Sequence, residues 1–247
     1  MRAPIGGGLD RALDRLPVLL QDILGPQTGN CRLVISHEPI SVGALEAWDG
    51  TGVSPEQLSE RLSEVAVRLA PSATVQIVVG VRRQDEWLGS RFAESCRGKL
   101  AYLGQDHLDQ VVTNVLNGSS PADLSGSLAL LDYMRFLEAL KESFGARNVH
   151  FLPVELLATD MYRYARMLSR ALDRRTSGRL VRKLMRAQND ASRNTLRVGS
   201  GAWSRRDGAG KIRLDRDAAG AIRSLFESQN RAFSRAIGVN LGSLGYY

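Results

Sequence analysis

Apolar residues recur along this chain in two alternating rhythms. Short β-branched runs occur at Cys31-Arg-Leu-Val-Ile-Ser36, Val75-Gln-Ile-Val-Val-Gly-Val81 and Asn148-Val-His-Phe-Leu-Pro153, and their length and composition predict strands. Between them apolar side chains return at helical spacing over 9–24, 55–69, 84–97, 105–117, 131–144, 160–173 and 218–237, which predicts amphipathic helices. The punctuation agrees with these limits. Ser54 stands as an N-cap before Pro55 in the first turn, Gly145 follows the helix ending at Phe144, and Asp160 caps the next one. Turn residues fill 25–30 and 118–123. Strands alternating with helices predict an α/β fold, with residues 1–247 as a single domain built on a largely parallel sheet flanked by helices. The charge-free strand over 75–81 is expected to be covered on both faces.

In sheets of this kind ligands gather outside the carboxyl ends of the strands. Two strands end in reactive or charged groups there, one in His37-Glu38 and one in Arg82-Arg83. At the second junction the strand turns into a helix that carries Ser90. Backbone N–H donors, a guanidinium and a hydroxyl around one anionic group make a phosphate clamp. Adjacent strand residues point to opposite sides, so Arg82 and Arg83 do not serve one phosphate equally. Glu86 and Trp87 are read as structural.

Composition narrows the field. The chain has 247 residues, 43% of them hydrophobic, enough for one core without covalent staples. Its two cysteines, Cys31 and Cys96, lie in unlike contexts, and its three histidines, His37, His107 and His150, have no metal-ligand spacing, so no metal is expected. No apolar run approaches the roughly 18 to 20 residues of a membrane span, and no signal-peptide pattern opens the sequence, so a cytoplasmic location is the expectation. The net charge is +7, with the excess mostly after residue 160. The stretch 174–216 is rich in Arg and Lys and punctuated by Gly199, Gly201, Gly208 and Gly210, and is expected to be a helix followed by a mobile basic loop. Such a surface attracts polyanions, which supports an alternative reading as a non-catalytic protein contacting a polyanion or a partner protein. Aromatic residues are only 6% and do not interleave with basic ones, which argues against nucleic acid. Nothing in the sequence fixes an oligomeric state.

The span from Arg82 to Ser90 resembles the segment with which sulfotransferases dependent on 3'-phosphoadenosine 5'-phosphosulfate (PAPS) hold the 3'-phosphate. The resemblance to bacterial members of that family extends to Ile35-Ser36-His37-Glu38, to the passage Leu131 to Glu155, and to the closing pattern Asn230-Arg-Ala-Phe-Ser-Arg-Ala-Ile-Gly238 with Gly245-Tyr246. It implies a P-loop NTPase-like sulfotransferase architecture, PAPS as co-substrate without a metal, and a hydroxylated acceptor, carbohydrate or other. It further implies Arg82 and Ser90, with Arg83, as 3'-phosphate contacts, Glu38 or His37 as the base, and Arg205, Arg206 and Lys211 as a basic loop near the nucleotide. Family members also carry a Pro-Lys-Thr-Gly-Thr-Thr type loop between a first strand and a helix for the 5'-phosphosulfate. Here Pro26-Gln-Thr-Gly-Asn30 follows a predicted helix and precedes a strand, with Gln27 at the lysine position. The expectation is therefore a domain incomplete at its N-terminus or, as the alternative, a divergent member that holds the donor without that loop.

Overall fold

A computed structural model describes residues 52–69, 74–97, 105–118, 120–173, 175–192 and 214–247. The helix predicted over 9–24, the strand over 31–36 and the basic stretch 193–213 lie outside them. The described part is mostly helical around a small parallel sheet, which is compatible with the α/β class.

Helix α1 (Pro55–Leu69) opens on a reciprocal capping box. The Ser54 hydroxyl accepts from the Gln57 N–H at 3.2 Å, and Gln57 Oε1 accepts from the Ser54 N–H at 3.0 Å, so two otherwise orphaned donors are satisfied. Strand β1 (Ile77–Val81) leads into α2 (Gln84–Arg97), and α3 (Gln105–Asn117) follows. Two 3-10 turns, Pro121–Asp123 and Gly126–Leu131, precede α4 (Tyr133–Phe144). Asp132 caps α4 by accepting from the Arg135 N–H at 3.1 Å. Apolar spacing predicts this helix from residue 131; a 3-10 turn occupies that position because the Asp132 cap begins the helix after it.

Strand β2 (Val149–Pro153) runs parallel to β1, with Ile77 opposite Val149 and Val81 opposite Pro153. A short helix α5 (Leu156–Thr159) then leads to α6 (Met161–Ala171), capped as predicted by Asp160, and to α7 (Gly178–Ser192). Helix α8 (Arg216–Ile237) ends at Gly238 in the left-handed region, and the chain closes through a 3-10 turn, Gly242–Leu244.

Burial along β1 alternates: Ile77 and Val79 pack inward, while Val78 is 38% exposed and Gly80 is also exposed. The strand is thus covered on one face rather than two. An apolar run alone does not reveal this, because both faces carry the same residue type. The inner face meets an aromatic cluster. Phe151 of β2 packs edge-on against Phe136 of α4 and Phe233 of α8, at centroid distances of 5.6 and 5.2 Å. Tyr133 reaches Phe233 at 5.6 Å and Tyr246 at 6.5 Å. A neighbouring core of Leu88, Val111, Val115, Ile222 and Phe226 joins α2, α3 and α8. No helix among the described residues is long and apolar enough to cross a membrane.

Candidate functional site

The junction between β1 and α2 is fixed at a single peptide unit. The carbonyl of Arg82 accepts a hydrogen bond from the Tyr133 hydroxyl, and the N–H of Arg83, the other half of the same amide, donates to Glu155 Oε1 at 2.8 Å. Glu155 Oε2 in turn accepts from the Tyr246 hydroxyl at 2.9 Å. Burial pushes the pKa of both phenols well above the usual tyrosine range, and the negative charge of Glu155 adds to the effect. Both therefore stay protonated and act as donors. Below this peptide, Gln84 and Asn230 exchange side-chain hydrogen bonds at 2.9 and 3.1 Å. Gln84 also donates to the Leu131 carbonyl at 3.1 Å, and Asn230 to the Tyr246 carbonyl at 3.2 Å. Both amides are buried, so this reciprocal pairing satisfies groups that would be costly alone.

The two arginines of the junction have different fates. Arg83 is tied to neighbouring carboxylates. Its Nε and Nη2 donate to the two oxygens of Asp85 at 3.1 and 2.9 Å, and Nη2 lies 3.4 Å from Glu86. Asp85 is only 5% exposed and takes a second guanidinium, Arg223 of α8, at 3.0 Å. Burial acts against the charge on Arg83, but its bonds to Asp85 raise the guanidinium pKa overall. Gly245 leaves the room for this arrangement: its φ is +80°, and a Cβ there would sit 2.9 Å from Arg83 Nη1. Arg82 is half-buried like Arg83, but no carboxylate among the described residues forms an ion pair with it.

Ser90 lies exposed on α2, one turn beyond Glu86 on the same outward stripe. Trp87 packs between the aromatic core and the second cluster, as its structural reading requires. His150 places a ring nitrogen 2.8 Å from Gln76 Oε1, and burial lowers its pKa. His37, Glu38, Arg205, Arg206 and Lys211 lie outside the described residues, as does the side chain of His107. No group of three His, Cys, Asp or Glu among the described residues is arranged to hold a metal.

Two clefts test where an anion can sit. One of about 270 Å³ between α1 and α4 is lined by Glu56, Glu60, Glu64 and Glu142, a field that repels anions. The other, about 160 Å³, lies over the Arg83, Asp85 and Arg223 ion pairs and the start of α8. Two of its cations, Arg83 and Arg223, are already engaged with Asp85, and its third, Arg216, stands among Asp85, Glu86 and Asp215 in the lining. Arg82 is the junction's remaining cation.

Glu155, Tyr133, Tyr246 and Asp85 were given no role by the sequence reading. The first three stand in passages that carried the family resemblance, but their partners lie far away in the chain, which local patterning does not show. Asp85 follows Arg83 by two positions, a spacing that does suggest a local pair. No protein-family model, curated protein or solved structure matches this chain.

Proposed function

We propose that the β1–α2 junction holds the ribose 3'-phosphate of PAPS and that the protein is a sulfotransferase-like member of the P-loop NTPase-like architecture, acting on a hydroxylated acceptor. The observation that carries this reading is the contrast within the arginine pair: Arg83 is neutralised by Asp85, whereas Arg82 keeps an uncompensated guanidinium at the carboxyl end of a parallel strand. The doubly hydrogen-bonded peptide holds that strand end rigidly, which preorganises a cation for binding. Ser90, exposed and free to rotate its hydroxyl, supplies a second contact.

Among the described residues this fits one anionic group of the nucleotide. In the transfer itself, the sulfur–oxygen bond to the leaving phosphate breaks as one to the acceptor oxygen forms. The acceptor's proton passes to a base, for which Glu38 is the first choice and His37 the second. Charge accumulates on the leaving phosphate, so positioning and cationic stabilisation carry the catalysis.

Adenosine 3',5'-bisphosphate tests the reading without requiring turnover. At about 100 times its dissociation constant a ligand stabilises the folded state by roughly 2.7 kcal/mol, visible as a rise in melting temperature. Arg82→Ala is expected to remove most of that rise while leaving the melting temperature of the free protein nearly unchanged. An equal rise in the variant and the native protein would refute the assignment.

A further inference from the structure

Helices α6 and α7 pack together, and α6 also packs against β2; Ala165, Ser169 and Ala171 of α6 and Val181 of α7 are buried. Their outward sides are cationic. On α6, Tyr162, Arg166 and Arg170 form one stripe at four-residue spacing, and on α7 Arg179, Arg182, Lys183 and Arg186 form another. All are exposed. Between residues 161 and 186 the sequence offers one carboxylate, Asp173. Two large exposed apolar side chains accompany these stripes, Tyr162 within the α6 stripe at 70% exposure and Met185 beside Arg182 at the edge of the α7 stripe at 51%.

We infer that this outer face of α6 and α7 docks on an anionic lipid bilayer. Complementary charge gives the attraction: each Lys or Arg brought to an anionic leaflet adds about fivefold in affinity. The protruding tyrosine and methionine give the depth, since an amphipathic ring and a poorly hydrated thioether favour the headgroup boundary over water. Single-stranded nucleic acid is held instead on a series of stacking aromatics, and the field presents one. The inference is independent of the proposed nucleotide site.

Co-sedimentation of the full chain with vesicles of phosphatidylcholine, alone or mixed with phosphatidylglycerol, tests it. Binding is expected on the mixed vesicles only and should weaken with salt. The triple variant Arg179→Gln, Arg182→Gln, Arg186→Gln is expected to lose roughly a hundredfold in partitioning, three charges at the factor above. Tyr162→Ser with Met185→Ser should abolish the fraction that resists salt. Should the triple variant melt earlier than the native protein, Arg166→Gln with Arg170→Gln on α6 provides the same readout and is expected to lose about 25-fold. Two results would overturn the inference: variants that bind mixed vesicles as well as the native chain, or a duplex or single-stranded oligonucleotide bound more tightly than vesicles through these same arginines.

Discussion

Arg82 and Arg83 are neighbours of one chemical type, yet their surroundings give them opposite tasks. What separates them is the amide between them, whose oxygen and hydrogen are both held by side chains from other elements. Glu155 is central because its two oxygens receive different donors. Glu155→Ala leaves the Arg83 N–H and the Tyr246 hydroxyl without their acceptor, and each unsatisfied buried group costs about 1–3 kcal/mol. Urea denaturation is expected to show a loss of about 2–6 kcal/mol for the two groups together. Glu155→Gln keeps an oxygen for the amide and should recover at least half. At the proposed nucleotide site, Glu155→Ala is expected also to weaken bisphosphate binding beyond what its lower stability accounts for, because Arg82 loses its fixed base.

Helices show how far local pattern carries. The limits of α2 and α3 and the Asp160 cap follow from residues within a turn or two of each end, where apolar spacing and capping chemistry are sufficient. Pairings between elements are less visible. Glu56 of α1 and Arg135 of α4 meet at 2.6 Å across 79 positions of sequence. The Arg135 hydrogen bond holds the Glu56 carboxyl down at about 2, against an ordinary value of 4.5. A depressed carboxyl stabilises the fold above its unfolded pKa, and that contribution is lost as pH falls through the folded one. The pair should therefore weaken between about pH 4.5 and 2. Glu56 is 53% and Arg135 34% exposed, so solvent screening keeps the effect below about 1 kcal/mol. Arg135→Ala should flatten this limb of a stability–pH curve; an unchanged limb would remove the pair from the account.

Across the whole molecule, α4, β2, α8 and the closing turn converge on the aromatic core, and two of its rings are phenols. Burial raises the pKa of both Tyr133 and Tyr246, so the folded state favours their neutral forms. The stabilisation is complete below the unfolded value of 10.0 and is lost as pH rises beyond it. Alkaline unfolding should steepen above about pH 10, and Tyr133→Phe should lessen that steepness even though it removes a hydrogen bond. The strand-end cation that anchors the candidate site was legible in the sequence because charge after an apolar run is a local signal. The lock beneath it was not. Tyr133 lies 51 positions from Arg82, and Glu155 lies 91 from Tyr246, so only the folded chain brings them into one cluster.

Gly245 gives that cluster an unexpected dependence. A Cβ there would press on the far end of the Arg83 side chain, which would have to give way, so the closing turn bears on an ion pair formed by residues some 160 positions earlier. Any other residue at that position would bring both this crowding and the strain of a positive φ.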